Sequence, residues 1–447
     1  MRKNWLTNRH LSTMIMLVLF LGLQFTLTTA QDDDDDTLSL QPARRFIHLT
    51  SDDGLVQNNV KTMMQDSNGF IWIGTIGGLT RYDGYNFINF VTDPEAPDGL
   101  ASNHIQDIVE DQNGMIWIAT EGGGVHMLNP TTLQFTVFRS TQENAGTSGE
   151  FNGNRHFLID VDSRGHIWAS GGVPSRTSVY DPATGRSQIY VHGSDRNADF
   201  IGQRVNGFVE SPDQQVWLAT GLGIAHYDIN REIFASYPAP DGENRIRTIL
   251  LDPDGNVWAG GEAGMYRYEA DTNNLQLFPI NSGAINAMLQ TEDGIFWLGT
   301  QRGLTLFDPE TGEVVSQEAR YPSVPDSMIN NQVDTIFQDD SGKIWMGGDN
   351  GLDIYDPQTE RFAYYRHQSD DVPATLGEGQ IRALHADDAN GVWVASGEYL
   401  TYLDFADDLV QEYEITDDFP SFGITSLYRD HAGFVWIGGQ DKRLLRF

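Results

Sequence analysis

The sequence predicts an all-β protein, a β-propeller built from four-stranded antiparallel blades. Two observations support this fold class. Nine of the ten tryptophans recur at intervals of 39 to 51 residues, and one propeller blade spans about 40–50 residues. Each of the nine also stands in the same local pattern of a turn, an apolar strand and small residues. These tryptophans are Trp72, Trp117, Trp168, Trp217, Trp258, Trp297, Trp345, Trp393 and Trp436.

Each repeat begins with a tight turn and the strand that carries the tryptophan. In the first repeat, Asp66 precedes Gly69 by three positions and Trp72 follows. The carboxylate of such an Asp accepts backbone N–H bonds within the turn, and Gly adopts the positive φ that other residues resist. The apolar strand suits burial on both faces between neighbouring blades, where the indole N–H needs one partner.

The rest of the repeat predicts two more strands. Small residues after the tryptophan, such as Gly74 and Ala119, allow the second strand to pass close to its neighbour, as do Ala219 and Gly299. A Gly-Leu step then reverses the chain into a third strand that ends in Tyr-Asp or Phe-Asp. A fourth strand follows, as at residues 86–90.

The repeated phrase Asp-x-x-Gly-x-Ile-Trp-Ile-Gly-Thr, followed by Gly-Leu-x-x-Tyr-Asp, resembles the two-component regulator propeller repeat. Residues 46–60 also resemble the start of the periplasmic sensor region of hybrid histidine kinases. The resemblance implies two seven-bladed propellers, then an immunoglobulin-like module, a membrane span and an output domain. It further implies that the region senses carbohydrate fragments. We expect the chain to be such a region, truncated at its C-terminus within the ninth repeat.

Four segments follow from this interpretation. Residues 1–30 are predicted to be a signal peptide, because a basic start precedes an apolar stretch and a small-residue cleavage site at Ala30. An uncleaved membrane anchor is the alternative. Residues 31–45 are an acidic disordered linker, 46–365 a seven-bladed propeller, and 366–447 the first two blades of a second propeller. We expect a periplasmic or extracellular location.

The number of blades in the ring depends on one spare strand. Residues 46–50 precede the first full repeat and have to pair elsewhere. They can complete the seventh blade and so close a seven-membered ring. They can also close one larger ring of eight or nine blades, because the ninth repeat ends in its third strand.

Charge and cysteine content exclude several classes of function. The chain has 63 acidic and 28 basic residues, a formal net charge of −35. Such a surface repels the phosphate backbone, so we expect no nucleic-acid partner. The absence of cysteine removes disulfides and thiolate metal sites. No Asp-x-Asp-x-Asp-Gly loop with a closing Glu is present, so we expect no metal and no cofactor.

We expect a ligand to bind at the propeller rim where the inner strands begin and the tryptophan strands exit. Arginine forks bond sugar hydroxyls and pair with uronate or sulfate groups, so an acidic glycan is a reasonable ligand class. The alternative for any single arginine is an ion pair with a neighbouring acid. The candidate ligand-binding residues are Asn59, His104, Glu121, Arg155, His156, Arg204, Arg245, Glu262, Arg302, Asn331, Asp349 and Arg382.

The sequence favours a non-catalytic sensor over two alternatives. It contains no His-Glu-x-x-His, Gly-x-Ser-x-Gly or phosphate-loop motif and no sialidase box. A secreted lyase resembling streptogramin lyase would need His104 or His156 beside Glu121. A ligand-free interaction scaffold is the other alternative. The expected partner is a small molecule or oligosaccharide. Membrane association is expected only through a missing C-terminal region or an uncleaved signal, and homodimerisation of a full-length protein stays open.

Overall fold

The computed structural model describes a chain made of strands. The described residues are 44–96, 98–139, 151, 153–171, 176–191, 204–240, 245–322, 324, 326–358, 381–386, 391–396, 399–404, 409–414, 424–430, 432–439 and 443–447. Within these ranges there is no helix that could cross a membrane. The predicted signal peptide and almost all of the predicted linker lie outside them. Two compact units are present, Pro42–Tyr364 and the one that contains Tyr365–Phe447.

The described strands form eight four-stranded sheets and one three-stranded sheet, all antiparallel, which confirms the predicted all-β propeller blades. Strand β1 is Ile47–Leu49. Blade 1 contains β2 (Val60–Gln65), β3 (Ile71–Thr75), β4 (Gly78–Tyr82) and β5 (Phe87–Phe90). Blade 2 contains β6 (Ile105–Glu110), β7 (Ile116–Thr120), β8 (Gly124–Leu128) and β9 (Phe135–Phe138). Blade 3 contains β10 (His156–Val161), β11 (Ile167–Gly171), β12 (Arg176–Asp181) and β13 (Arg186–Val191).

The remaining blades of the first unit follow the same order. Blade 4 contains β14 (Val205–Glu210), β15 (Gln215–Thr220), β16 (Gly223–Asp228) and β17 (Ile233–Pro238). Blade 5 contains β18 (Ile246–Leu251), β19 (Val257–Gly261), β20 (Gly264–Glu269) and β21 (Asn274–Pro279). Blade 6 contains β22 (Ile285–Gln290), β23 (Phe296–Thr300), β24 (Gly303–Asp308) and β25 (Glu313–Glu318). Blade 7 contains β26 (Thr335–Gln338), β27 (Ile344–Gly348), β28 (Gly351–Tyr355) and β1.

The second unit contains two sheets. Blade 8 contains β29 (Ile381–Ala386), β30 (Gly391–Ser396), β31 (Tyr399–Asp404) and β32 (Leu409–Glu414). Blade 9 contains β33 (Ile424–Arg429), β34 (Val435–Gly439) and β35 (Leu444–Arg446). Their inner and second strands share a core that includes Ala395, Ile424 and Ile437.

The first unit closes as a ring of seven blades, not eight or nine. Strand β1 pairs antiparallel with β28, with Leu49 opposite Leu352, so the N-terminal strand is the fourth strand of blade 7. Trp345 of blade 7 packs in one cluster with Val60 and Ile71 of blade 1. Because blade 7 contacts both blade 1 and the start of the chain, the ring has no open edge between them.

Among the described residues, six of the nine repeat tryptophans have an indole N–H that is bonded to the Asp of the preceding turn. The Asp66 carboxylate accepts the Trp72 Nε1–H at 2.8 Å through Oδ2, and its Oδ1 accepts the backbone N–H groups of Asn68 and Phe70. Trp72 itself is buried against Ile105 of blade 2. The sequence predicted that the Asp stabilises the turn and that the indole N–H needs a partner. The Asp66 carboxylate meets both requirements. The same indole–carboxylate bond joins Trp117 to Asp111, Trp168 to Asp162, Trp258 to Asp252, Trp345 to Asp339 and Trp436 to Asp430.

Small residues after the tryptophan bring neighbouring blades into close contact. A Cβ atom on Gly74 would lie 2.6 Å from Cγ2 of Ile105 in blade 2. Gly299 faces Val333 of blade 7 in the same way, at 2.8 Å. Only glycine fits at such a distance without displacing the neighbouring inner strand. The inner strands therefore crowd around the axis of the ring.

The indole–carboxylate bond yields a stability prediction. Asp66→Ala leaves the buried Trp72 Nε1–H and two backbone N–H groups without their acceptor, so we expect the free energy of unfolding to fall by about 2 kcal/mol. Urea unfolding followed by circular dichroism measures the change. Asp254→Ala removes an exposed turn carboxylate and is expected to stay within about 0.5 kcal/mol of the parent protein. Equal losses in the two variants would contradict the stabilising role of that bond.

Candidate functional site

The inner strands of blades 1 to 6 share an irregularity that positions the site. In β2 the register with β3 shifts between Val60 and Thr62, so Lys61 is left outside the ladder. A β-bulge of this kind redirects a side chain away from the regular pleat. In blade 7, Asp334 follows the buried Val333 in the same way. The residues at the bulges are Lys61, Gln106, Phe157, Asn206, Arg247 and Asn286.

These residues surround a cavity at the centre of the first unit. Its volume is about 1050 Å³. All six bulge residues and Asp334 line it, which places one side chain from every blade of the ring at the same cavity. The next layer of the wall includes Thr62, Asp107, Asp160, Phe208, Thr248, Arg204 and Arg245.

Blades 4 and 5 make one wall of the cavity basic. Arg204, Arg245 and Arg247 all line it. The Arg204 guanidinium stacks 4.0 Å from the centroid of the Phe157 ring, which fixes its position. Desolvation lowers the pKa of Arg204; the Glu121 charge opposes this, and the charges of Arg245 and Arg247 lower the pKa further. The three arginines are therefore close enough to repel one another.

The three arginines differ in their partners. Arg247 donates Nη1 to Asn286 Oδ1 at 2.9 Å and Nη2 to Glu262 Oε1 at 3.2 Å. Within the described ranges, the guanidinium groups of Arg204 and Arg245 have no hydrogen bond and no ion pair. The sequence left open whether each arginine pairs with an acid. Among the residues that the structure describes, Arg204 and Arg245 do not pair with an acid.

Two carboxyl groups occupy the wall formed by blades 2 and 3. Asp107 accepts from Thr62 Oγ1 at 3.1 Å and from the backbone of Ile159, and desolvation raises its pKa to about 6. Asp160 accepts from the backbone N–H of Val161. Desolvation raises the pKa of Asp160 to about 8, with smaller contributions from the charges of Asp107 and Glu210. At neutral pH Asp160 is therefore mostly protonated and can donate a hydrogen bond.

A bonded network joins blades 1 and 7 at the edge of the cavity. Lys61 Nζ lies 2.8 Å from Asp334 Oδ2 and 3.7 Å from Asp349. Asn59 Nδ2 donates to the same Asp349. Asn286 of blade 6 donates to the backbone oxygen of Val333 at 3.1 Å. These bonds hold the polar side chains of three blades in fixed positions around the opening.

A second network joins blades 2 and 3. His104 Nδ1 lies 3.3 Å from Glu121 Oε2, and Arg155 Nη2 donates to Glu121 Oε1. Gln106 donates to the same carboxylate at 3.3 Å. Bonding to Arg155, and less strongly to His104, lowers the pKa of Glu121. Arg155 thus forms the ion pair that the sequence analysis gave as the alternative to a ligand contact.

The predicted rim residues are only partly brought together. Arg204 and Arg245 line the cavity, and Asn59, His104, Glu121, Arg155, Glu262 and Asp349 lie in networks that contact lining residues. Arg302 donates instead to the backbone of Asn281, and Asn331 is exposed; neither lines the cavity. Arg382 occupies the bulge of β29 in the second unit.

His156 is a correction to the predicted set. Its side chain is 1% exposed, and its Nε2 lies 3.1 Å from the backbone oxygen of Gly153. Burial lowers the pKa of His156 to about 4, so the ring is neutral. The imidazole occupies the first, inward-packed position of β10, and the next residue, Phe157, is the one that reaches the cavity.

Sequence reasoning missed most of the residues that line the cavity. Lys61, Gln106, Phe157, Asn206, Arg247 and Asp334 were not in the predicted set, because the prediction selected residues just before each inner strand. A usable signal exists in the sequence: each lining residue directly follows the buried aliphatic or His residue that begins the inner strand. Among the described residues no group of three His, Asp or Glu side chains could hold a metal ion.

The ring of antiparallel four-stranded blades defines the chain as a β-propeller protein. Four segments, residues 54–77, 99–122, 240–263 and 327–350, match the model of the family described as two component regulator propeller. The chain therefore carries two-component regulator propeller repeats, which confirms the resemblance found in the sequence. None of the curated proteins matches it.

Solved structures share the fold. The chain is similar to the extracellular domain of a protein from B. thetaiotaomicron named as a hybrid two component system, with a TM-score of 0.74 and 20% identity over 91% of this chain and 53% of that one. A second such extracellular domain from B. thetaiotaomicron matches with a TM-score of 0.60 and 19% identity over 91% and 52% of the two chains. The chain spans about half the length of both. A streptogramin B lyase matches with a TM-score of 0.53 and 14% identity over 71% and 99%.

The raised pKa of Asp160 predicts how stability depends on pH. In an unfolded chain an Asp titrates near about 3.9, whereas Asp160 in the folded protein has a pKa of about 8. Between these pH values the folded state holds a proton that the unfolded state lacks. The contribution of Asp160 to the free energy of unfolding therefore falls as pH rises, by up to about 1.4 kcal/mol per pH unit. In Asp160→Asn, the decrease in the free energy of unfolding between pH 5 and pH 8 is expected to be smaller than in the parent protein.

Denaturant unfolding at each pH measures this difference. Asp254→Asn changes an exposed carboxylate outside the cavity and is the matched control. The same slope in the parent protein and in Asp160→Asn would show that Asp160 titrates normally.

Proposed function

We propose that this chain is the extracytoplasmic ligand-sensing region of a two-component signalling protein, that the cavity of the first unit is its ligand site, and that its ligand is a carbohydrate fragment. The proposal includes a binding role without catalysis in this region. The observation that carries it is the cavity itself, to which each of the seven blades contributes a side chain.

The size of the cavity supports a ligand of several rings. Small-molecule pockets usually measure about 300–1,000 Å³, and this cavity has about 1050 Å³. The bulges add side chains to its wall without interrupting the blades. A ligand that extends across the axis can therefore contact several blades at once.

The chemistry of the wall supports a polyhydroxylated ligand. Gln106, Asn206 and Asn286 present amide groups that both donate and accept hydrogen bonds. Lys61 and the arginines donate, and Asp334 accepts. A sugar hydroxyl is both a donor and an acceptor, so it needs partners of both kinds. Two aromatic rings, Phe157 and Phe208, complete the wall.

The rim network contains His104 beside Glu121, the pair that the lyase alternative requires, but the bonds of Glu121 make it a poor general base. An elimination reaction needs a general base that is free to take a proton. Glu121 accepts from Arg155 and lies beside His104, and these contacts lower its pKa, which makes it a weaker base. His156, the other candidate base, is buried in the core.

The repeats and the predicted signal peptide together support an extracytoplasmic location. The family model that matches is named for two-component regulators, and two proteins of similar fold are named as extracellular domains of such systems. The basic, apolar and small-residue stretches of residues 1–30 are consistent with export.

A blocked cavity tests the proposal. Thermal-shift screening of neutral, uronate-containing and sulfated oligosaccharides on the full chain is expected to identify a ligand that raises Tm. Gln106→Trp places an uncharged ring in the cavity and is expected to weaken binding of that ligand at least about tenfold, or 1.4 kcal/mol, in titration calorimetry.

Gln188→Trp is the matched control, because Gln188 is exposed on the outer strand β13 and does not line the cavity. Its affinity should equal that of the parent protein. A screen without any thermal shift would refute a carbohydrate ligand, and equal affinity in both variants would refute the cavity as the site. Conversion of the ligand, followed by mass spectrometry, would refute the non-catalytic role.

A further inference from the structure

Arg204 and Arg245 are two basic residues that line the cavity of this acidic chain. The chain has 63 acidic and 28 basic residues, and several lysines and arginines in the described part of the protein form an ion pair with a carboxylate. Examples are Arg44 with Glu318, Arg45 with Asp326, Arg155 with Glu121, Arg164 with Asp162, Arg247 with Glu262, Arg267 with Glu269 and Lys343 with Asp356. Arg204 and Arg245 instead lie beside each other and beside Arg247.

Arg204 and Arg247 are held in position, and Arg245 stands near them. Arg204 stacks on Phe157 at 4.0 Å, so its plane is held without the use of its N–H groups. Arg247 is held by Asn286 and Glu262. Arg245 stands directly before β18, which carries Arg247 two residues later. All three arginines line the same cavity.

This arrangement is unfavourable in the absence of a ligand. Desolvation and the neighbouring positive charges lower the pKa of Arg204, which means that its charged form is destabilised where it stands. Adding an oxyanion would reverse both effects, because N–H groups of guanidinium form short, charge-assisted bonds with carboxylate or sulfate oxygens. Arginine suits such planar groups better than lysine does.

We propose that Arg204, Arg245 and Arg247 form an oxyanion site in the wall of the cavity, and that the ligand of the cavity carries a carboxylate or sulfate group bound there. The inference rests on the proposed function in so far as the cavity is the ligand site. Asp107 lines the wall formed by blades 2 and 3 and repels an anion when it is charged, so the anionic group is expected at the wall formed by blades 4 and 5.

The first experiment tests the oxyanion site without any sugar. Millimolar sodium sulfate, compared with sodium chloride at equal ionic strength, is expected to raise Tm of the full chain and to protect Arg204 and Arg245 from phenylglyoxal, as read by peptide mass spectrometry. Arg204→Gln and Arg245→Gln are expected to lose the sulfate-dependent shift. In chloride alone, each variant should be as stable as the parent protein or more stable, because a repelled charge has been removed.

Arg231→Gln is the matched control. It removes the same charge from an exposed arginine, which pairs with Asp228 and does not line the cavity. Sulfate also stabilises proteins in general by exclusion from their surface, and this control measures that contribution. Equal sulfate shifts in the parent protein, the control and both cavity variants would overturn the proposal.

The second experiment tests the ligand class. Titration calorimetry compares α-1,4-digalacturonate with α-1,4-galactobiose, which has hydroxymethyl groups in place of the carboxylates, and a sulfated disaccharide forms a third arm. We expect an anionic disaccharide to bind the parent protein at least tenfold more tightly than the neutral one, and the preference to disappear in Arg204→Gln.

The two proposals fail in different ways. Equal binding of neutral and anionic disaccharides by the parent protein would overturn the oxyanion site and leave a carbohydrate site in the cavity. Sulfate binding that depends on Arg204 and Arg245, with no disaccharide bound in any arm, would keep the oxyanion site and refute the carbohydrate ligand.

Discussion

The packing of one indole between each pair of neighbouring sheets is the constraint on which the propeller depends. Trp72 illustrates it, because its ring fills the space between blades 1 and 2 while its N–H is bonded to Asp66. The carboxylate also fixes the turn before the strand. One residue pair thus sets the hairpin, the position of the indole and the spacing of the sheets. Repetition of that spacing allows blade 7 to meet blade 1, and β1 then completes the last sheet.

Close packing around the ring has a consequence for the site. The second strands approach the next inner strand so closely that Gly74 has no room for a Cβ atom. A bulge in each inner strand of blades 1 to 6 adds one further side chain to the wall, which is polar in every one of these blades except blade 3. The scaffold residues therefore recur from blade to blade, whereas cavity residues such as Lys61 and Arg247 differ between blades and give the cavity its chemistry.

The cavity combines a cluster of arginines with a desolvated carboxyl group. Among the described residues, the Arg204 guanidinium of the basic wall has no acidic hydrogen-bond partner. Asp160 lies in the wall formed by blades 2 and 3, and its raised pKa keeps it mostly protonated. Both features lower the cost of placing an anion near the axis of a protein with a formal net charge of −35. The same features weaken the free protein, as is common where a site is arranged for a ligand and not for stability.

The sequence by itself determined the fold class, the blade repeat and the turn chemistry, because these depend on residues that are close along the chain, such as Asp66, Gly69 and Trp72. It left the closure of the ring open, since the pairing of β1 with β28 joins segments about three hundred residues apart. It also placed the site one or two residues too early in most blades. Only the tertiary structure decided which side chains reach the cavity and which cations form ion pairs, because a bulge is a property of strand pairing and an ion pair depends on distance in space.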